Sequence, residues 1–297
     1  MTGDSAPWSA VAAAIARATG ERMSAPRVAA LGGGCINRAF RLDSGERRWF
    51  VKLNSASRLS MFEAEAAGLD EILASGTLRA PRPVATGVDR GDAFIVLEYL
   101  ELGGAGRGGP QRLGAGLAAM HRHTAARFGW HRDNTIGSTP QINTPADDWL
   151  AFWRRERLGY QLALAEKNGF GGRLQSLGEQ LTERCAALFA DYRPLPALLH
   201  GDLWGGNAAY TVEGEPVVFD PAVYYGDREA DLAMTELFGG FGAAFYAAYR
   251  EAYPLDPGYA VRKAFYNLYH VLNHANLFGG GYAGQAEGMM QRLLAEI

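Results

Sequence analysis

The spacing of apolar residues divides the chain into a strand-rich first third and a helical remainder. Apolar residues at helical spacing predict an opening helix at residues 8–19 and a second helix at residues 61–74. Shorter apolar runs favour strands at residues 28–31, 38–42, 49–53 and 93–97. Glycines at positions 32–34 separate the first two of these runs, and turn residues at 43–45 precede the third. The pattern predicts a glycine-tipped hairpin followed by another strand.

Beyond residue 100 the pattern becomes helical. The glycine-rich stretch at 103–109 is the best candidate for a linker. Helical spacing then occurs at residues 113–121, 149–167 and 174–189 and over most of residues 232–294. We therefore expect an α+β protein with two lobes flanking a cleft. An N-terminal lobe with an antiparallel sheet would span residues 1–102, a mainly helical lobe would span residues 103–297, and the hinge would lie at about 98–102.

Composition limits the classes of function. The chain has 297 residues, of which 48% are hydrophobic and 21% are charged, as is typical of a soluble globular protein. A net charge of −3 and a pI near 6.1 argue against a nucleic-acid partner. No apolar run is long enough to cross a bilayer, and the N-terminus lacks the features of a signal peptide. With only Cys35 and Cys185 as cysteines, we expect a cytoplasmic protein that does not associate with membranes.

The stretch LLHGDLWGGN at 198–207, followed by an apolar run that ends at Asp220, carries the chemistry. Asp202 can accept a hydroxyl proton, while Asn207 and Asp220 can hold Mg²⁺. Their order and spacing match the catalytic loop and metal-binding Asp of protein kinases. Each segment alone could be a simple turn or a strand end. Their combination favours phosphoryl transfer from ATP.

Further upstream residues complete this pattern on the nucleotide side. A lysine in mid-strand, Lys52, precedes a helix that bears Glu63 and Glu65, and a pair between Lys52 and Glu65 would orient the α- and β-phosphates of ATP. Backbone groups of the hinge would read adenine. The residues expected to cover the phosphates are Gly32, Gly33, Gly34, Cys35 and Ile36, and those expected in the hinge are Glu98, Tyr99 and Leu100. Cys35 is either a small loop residue or a redox-sensitive thiol whose oxidation blocks ATP.

Several segments together resemble the fructosamine kinase (ketosamine-3-kinase) family, within the aminoglycoside-phosphotransferase-like group of the protein-kinase fold. The HGD-x-x-x-x-N pattern is common to small-molecule kinases of this fold and does not select a substrate. The narrower signals are DNTIGSTPQ at 133–141, the tryptophan after HGD-Leu, PAVYYG at 221–226 and LFGG at 237–240. The resemblance extends over residues 31–278.

This resemblance implies ATP-dependent phosphorylation of the 3-hydroxyl of ketoamine adducts on lysines or free amines, a deglycation activity. Asp202 would be the general base, Asn207 and Asp220 the Mg²⁺ ligands, and the acceptor a small-molecule or protein-bound ketoamine. Trp204 would contact the acceptor, although a core position is the alternative. Asp227 would face the cationic amine of the adduct. The preferred ketosamine and the oligomeric state stay open.

Two other functions fit parts of the sequence. A kinase for aminoglycosides, choline, methylthioribose or homoserine would share the nucleotide-side residues. A pseudokinase would bind nucleotide without catalysis, but such proteins usually lose one of the catalytic residues. For Asp231 we favour a role in bracing the catalytic loop through backbone N–H groups. His121, His123 and His131 lack a complete metal-ligand set, so we interpret them as structural.

Overall fold

The computed structural model describes residues 7–20, 23, 26–32 and 36–297. Its N-terminal part is built on a five-stranded antiparallel sheet in the order β1-β2-β3-β5-β4. These strands are β1 (Arg27–Leu31), β2 (Arg38–Ser44), β3 (Arg47–Ser55), β4 (Pro83–Asp89) and β5 (Asp92–Glu98). The predicted hairpin and the strand after it are confirmed, since β1 pairs with β2 and β2 with β3. Strand β4 was not predicted, because it begins at a proline and contains a glycine, two residues that are rare in strands.

One helix covers each face of this sheet. Helix α1 (Trp8–Thr19) has the predicted bounds, and α2 (Leu59–Ala74) includes the predicted residues 61–74. Alternate side chains of β3 point to opposite faces. Trp49, Val51 and Leu53 pack with α1 in a small core cluster, whereas Lys52 points toward α2. The alternation of β3 therefore places one lysine between the sheet and α2.

The C-terminal part is mainly helical, as predicted. Its helices are α3 (Gly109–Met120), α4 (Trp149–Phe152), α5 (Tyr160–Lys167), α6 (Arg173–Arg184), α7 (Arg228–Leu237), α8 (Ala243–Ala252), α9 (Tyr259–Phe278) and α10 (Tyr282–Glu296). A π-helical segment, Trp153–Gly159, interrupts the continuous helix predicted at 149–167. The helix predicted at 174–189 ends as a 3₁₀ turn, Cys185–Phe189.

Short strands in the C-terminal part hold the loops that carry the motif residues. They are β6 (Leu102–Gly103), β7 (Asn134–Ile136), β8 (Thr139–Gln141), β9 (Ala197–Leu199), β10 (Ala208–Thr211), β11 (Pro216–Val218) and β12 (Tyr224–Gly226). Strand β9 pairs with β12, and β10 pairs with both β6 and β11. The loops at 200–207 and 219–223 connect these two small sheets.

The chain passes from one part to the other over residues 99–101. Strand β5 ends at Glu98, and β6, which starts at Leu102, already pairs with β10 of the C-terminal part. One apolar core continues from α2 through β5 into the C-terminal helices. Within the described residues, no helix has the length and apolar character needed to cross a membrane.

Candidate active site

The loop that follows β9 is fixed by Asp231, which lies on the first turn of α7. Its two carboxylate oxygens accept hydrogen bonds from the backbone N–H groups of His200 (2.6 Å) and Gly201 (2.8 Å). The predicted bracing role of Asp231 is therefore confirmed. Gly201 has φ 82°, and a Cβ there would lie 2.0 Å from the carbonyl oxygen of Ala222. Only glycine fits at this position.

The buried imidazole of His200 joins this loop to the segment around Asp220. Its Nδ1 accepts from the Asp202 backbone N–H at 3.3 Å, and its Nε2 lies 3.0 Å from the carbonyl oxygen of Phe219. The two contacts define one tautomer, in which Nε2 carries the proton. Burial lowers the pKa of His200, which keeps the ring neutral. The proposed base and the proposed metal ligand are thus tied to the same side chain.

The pKa of the Asp202 carboxyl group is raised well above its ordinary value. The Nδ2 group of Asn207 donates to the Asp202 carbonyl oxygen at 2.9 Å and to its carboxylate Oδ2 at 3.2 Å. Burial, together with the negative charge of Asp220, raises the pKa of Asp202 to about 7. A carboxylate with a pKa near neutrality is a stronger base than an ordinary aspartate. Asp202 thus combines an anchored backbone with enhanced basicity.

Lys52, Glu65 and Asp220 form one ion-pair cluster. The Lys52 ammonium lies 2.6 Å from Glu65 Oε1 and 2.5 Å from Asp220 Oδ1. Burial alone would lower the pKa of Lys52, but the two carboxylates raise it above its ordinary value, so the side chain is charged. Glu63 is directed elsewhere, with its carboxylate 3.7 Å from Arg132. The structure therefore pairs Lys52 with Glu65, as the sequence predicts.

Asn207 and Asp220 present oxygen atoms suited to a hard cation. Because Asn207 uses Nδ2 for its bonds to Asp202, its amide oxygen is left for another partner, and no donor among the described residues reaches it. The side chain of Asp220 is 48% exposed and can accept a ligand besides Lys52. Amide and carboxylate oxygens are ligands that Mg²⁺ prefers. The donor set therefore fits Mg²⁺.

The glycine loop is described only in part. Gly33, Gly34 and Cys35, and with them the predicted redox role of Cys35, lie outside the described residues. Gly32 is exposed, and Ile36 accepts a hydrogen bond from Asn54 through its carbonyl oxygen. These two residues flank the predicted phosphate-binding turn.

Glu98, the first of the three predicted hinge residues, lies at the end of β5. Its backbone N–H donates to the Arg82 carbonyl oxygen at 2.8 Å, and its carboxylate pairs with Arg79 at 2.6 Å. The bond to Arg82, the residue before β4, therefore occupies the backbone N–H of Glu98. Tyr99 and Leu100, the other two predicted hinge residues, follow the end of β5.

Aromatic side chains line the surface beside the catalytic loop. Trp204 is 39% exposed, which excludes the core alternative, and its indole meets the Phe238 ring edge-to-face with the centroids 6.4 Å apart. The ring centroids of Phe238 and His274 are 4.9 Å apart, and those of His274 and Phe278 are 5.5 Å apart. We call Trp204, Phe238, His274 and Phe278 the aromatic row. Of these four residues only Trp204 was predicted from the sequence, although Phe238 belongs to the LFGG segment of the family resemblance.

Asp227 does not have the surface position that was expected of it. It is only 1% exposed, and its carboxylate accepts hydrogen bonds from the hydroxyl groups of Tyr192 and Tyr266 at 2.9 and 2.5 Å. It also caps α7 by accepting from the Glu229 backbone N–H. Pairing of β12 with β9 places Gly226 opposite Ala197, at the end of β9 remote from Asp202. Asp227 is therefore a buried helix cap and not an acceptor-binding residue.

The histidines of the central segment have structural surroundings. His121 is fully buried, with Nδ1 2.7 Å from the Tyr249 hydroxyl and Nε2 3.2 Å from Asp231. His123 and His131 are exposed, and the His131 ring packs on Trp130. Over the part of the chain that the structure describes, no three His, Cys, Asp or Glu side chains form a group that could hold a metal ion.

Comparisons with known proteins agree with this geometry. A family model described as fructosamine kinase matches residues 7–296. The chain is 49% identical to a probable ketoamine kinase of Synechocystis over 97% of both chains. It is 43% identical to a chloroplastic protein-ribulosamine 3-kinase of Arabidopsis thaliana, over 93% of this chain and 85% of that one.

Solved structures show the same relationship at the level of the fold. A fructosamine-3-kinase family protein of Thermobifida fusca superimposes with a TM-score of 0.84 at 32% identity, covering 97% of this chain and 99% of that chain. A thermostable mutant of aminoglycoside phosphotransferase APH(4)-Ia has a TM-score of 0.61 at 16% identity, covering 96% of this chain and 98% of that chain, and shares the two-lobed, protein-kinase-like fold. The predicted fold class is confirmed, and the chain is a kinase that belongs to the fructosamine kinase family.

Proposed function

We propose that this kinase phosphorylates the 3-hydroxyl of ketoamine adducts, such as fructosamines and ribulosamines on lysine, and so acts in deglycation. Support comes from relatives named ketoamine kinase and ribulosamine 3-kinase that align with at least 93% of the chain. The observation that carries the proposal is the half-exposed indole of Trp204, two residues beyond Asp202. It offers an apolar contact for a sugar or an alkyl chain next to the base.

In the proposed reaction, Asp202 accepts the proton of the acceptor hydroxyl as that oxygen attacks the γ-phosphate of ATP. The elevated pKa of Asp202 makes it an effective general base near neutral pH. Lys52, held by Glu65, orients the α- and β-phosphates. Asn207 and Asp220 would hold Mg²⁺, which neutralises phosphate charge when bound. Positioning and charge neutralisation are the main requirements of phosphoryl transfer.

The remaining nucleotide contacts follow from the chain path. We assign adenine recognition to the backbone of Tyr99 and Leu100, within a hinge at about 98–102 that divides the lobes 1–102 and 103–297. The glycine loop from Gly32 to Ile36 would cover the phosphates. Its backbone N–H groups can approach them closely because glycine has no side chain.

On the acceptor side, the aromatic row replaces Asp227 as the proposed binding surface. Trp204 would stack on the sugar, and Phe238 and His274 would extend the surface toward the alkyl stem of the modified lysine. A flat aromatic surface accommodates different sugars and peptide contexts, because stacking is less directional than hydrogen bonding. Ketoamines on free amines or on proteins would both fit this surface.

The proposal is tested by ADP release with fructoselysine, ribuloselysine, kanamycin and choline as acceptors. We expect turnover with the ketoamines only, and ³¹P NMR of the product should place phosphate on the 3-hydroxyl. Turnover with kanamycin alone would replace the proposal by aminoglycoside phosphorylation. Binding of ATP without turnover of any acceptor would indicate a pseudokinase.

A further inference from the structure

The backbone at Asp220 adopts a conformation that must be held in place. Asp220 has φ 56°, in the left-handed region that residues other than glycine rarely adopt. Such a conformation persists only where neighbouring contacts determine it. On the N-terminal side, the Phe219 N–H donates to the Asn207 carbonyl oxygen, and the Phe219 carbonyl accepts from His200. These contacts fix one end of the turn.

On the C-terminal side, two buried amide side chains hold the peptide carbonyls. Gln141 Nε2 donates to the Ala222 carbonyl oxygen at 3.0 Å, and Asn134 Nδ2 donates to the Val223 carbonyl oxygen at 2.8 Å. Both amides belong to the β7–β8 hairpin, which forms no part of the catalytic loop. The turn that carries Asp220 is therefore fixed from both ends.

The two amides are themselves fixed in orientation. Gln141 also donates to Asn134 Oδ1 at 2.8 Å and accepts from the Tyr269 hydroxyl at 2.8 Å. Asn143 donates to Asn134 Oδ1 at 3.0 Å and accepts from Arg157 at 2.7 Å. Because each oxygen has a donor, the amide groups cannot flip without losing bonds. Their N–H groups remain directed at the turn after Asp220.

The anchor of this network is the guanidinium of Arg157, in the π-helical segment. It is fully buried and lies 4.1 Å from the centroid of the Tyr224 ring. Insertions of π-helix often place a side chain where a regular helix could not. Through Arg157, which donates to the Ile142 carbonyl oxygen and to Asn143 Oδ1, the π-helical segment thus supports the chain just after the hairpin.

We propose that Gln141 and Asn134 are positioning residues for the Mg²⁺ ligand Asp220, and that they act by clamping the carbonyls of Ala222 and Val223. Without the clamp, the turn could relax from its left-handed conformation and turn the carboxylate away from Lys52 and Asn207. The inference rests on the proposed metal role of Asp220. It does not depend on which acceptor the enzyme uses.

The test compares Gln141→Met with Gln175→Met. Gln175 also donates to two backbone carbonyls, those of Leu162 and Phe170, but lies on α6 away from the site. In the metal-free protein, hydrogen exchange of the Ala222 amide should be at least tenfold faster in Gln141→Met than in Gln175→Met. Mn²⁺ affinity in the presence of ADP, measured by electron paramagnetic resonance, should be at least fivefold weaker. Equal exchange and equal Mn²⁺ affinity in the two variants would overturn the proposal.

If Gln141→Met does not fold, Gln141→Asn provides a second route, because it keeps an amide but withdraws it by one methylene. The same increase in exchange and loss of Mn²⁺ affinity are expected, and wild-type values would refute the clamp. Both measurements omit the acceptor. An enzyme that fails to phosphorylate ketoamines would therefore contradict the proposed function without affecting this test.

Discussion

At the scale of single residues, replacement of the Asp202 carboxylate should abolish activity without disturbing the fold. Its backbone is held through His200 and Asn207, and these bonds do not require a charged carboxylate. Asp202→Asn should fold normally and bind ADP within about threefold of wild type, but kcat should fall by about 10²–10⁴-fold, because proton acceptance is lost. Steady-state kinetics with fructoselysine and calorimetric titration of ADP measure the two effects. Activity within tenfold of wild type would contradict the assignment of Asp202 as the base.

Trp204 should contribute to binding of the acceptor and not to binding of ATP. Trp204→Ala removes the indole from the aromatic row, so the KM for the ketoamine should rise about tenfold, as expected for loss of a stacking contact of about 1.4 kcal/mol. The KM for ATP should stay within about twofold. Trp204→Phe is the matched control, and it should restore most of the affinity. A similar rise in both KM values would show that Trp204 acts through the fold.

The roles of site residues could be predicted from the sequence where their partners are close along the chain. They could not be predicted where the partners are distant along the chain. Asp202, Asn207 and Asp220 lie within one short segment, whose spacing indicates their proximity. Asp227 was predicted incorrectly because its surroundings come from Tyr192 and Tyr266, which lie 35 and 39 residues away. No local pattern shows that a carboxylate will be enclosed by two distant hydroxyl groups.

At the scale of elements, α2 is attached to the C-terminal part near Asp220. Glu71 on this helix accepts from the Tyr225 hydroxyl at 2.6 Å and from the Trp130 indole at 3.4 Å. Gly68 lies so close to the turn after Asp220 that a Cβ there would be 3.2 Å from Val223. The helix that carries Glu65 is therefore held in the position that pairs Glu65 with Lys52.

Tyr225→Phe tests this attachment. Loss of the hydrogen bond to the Glu71 carboxyl group should lower the free energy of unfolding by about 1–3 kcal/mol and, by loosening α2, raise the KM for ATP severalfold. The ketoamine KM should change little. Tyr160→Phe on α5 serves as the control and should leave both quantities near wild type. Urea unfolding and ATP kinetics provide the measurements, and an unchanged KM for ATP would show that Tyr225 contributes stability alone.

Element boundaries were predictable where the pattern is local. The bounds of α1 were correct because its apolar face repeats regularly along an uninterrupted sequence. The break at Trp153–Gly159 was missed, because it follows from the burial of Arg157 among rings contributed by other segments. Tertiary packing overrides helical spacing there.

At the scale of the whole molecule, the core contains buried histidines that affect stability. His270 on α9 packs on the Tyr269 ring. Burial, with the nearby His274 and Arg157, lowers the pKa of His270 to about 3 despite the opposing charge of Asp231. The two-lobed architecture was predictable from the order of strands and helices, but these buried groups were not, because burial depends on how the helices pack.

The lowered pKa of His270 predicts acid sensitivity. Between pH 6.5 and about 3, the unfolded chain binds a proton at this position and the folded chain does not, so the free energy of unfolding falls as the pH drops. From pH 6.5 to pH 5 the loss due to His270 should be about 2 kcal/mol. Carboxyl groups with raised pKa values, such as Asp202, stabilise the folded protein as the pH falls and so act in the opposite direction. The contribution of His270 is therefore obtained from the difference in pH dependence between wild type and a variant that lacks His270.

Urea unfolding of wild type, His270→Asn and His123→Asn at pH 7 and pH 5 isolates this contribution. His123 is exposed, so its replacement should leave the pH dependence unchanged. Replacement of His270 should lower stability at pH 7, because the packing on Tyr269 is altered, but should reduce the further loss between pH 7 and pH 5 by about 2 kcal/mol. If His270→Asn and wild type lost the same free energy of unfolding between pH 7 and pH 5, His270 would have to be protonated in the folded protein. That would require water to reach the buried face of α9 on which His270 lies.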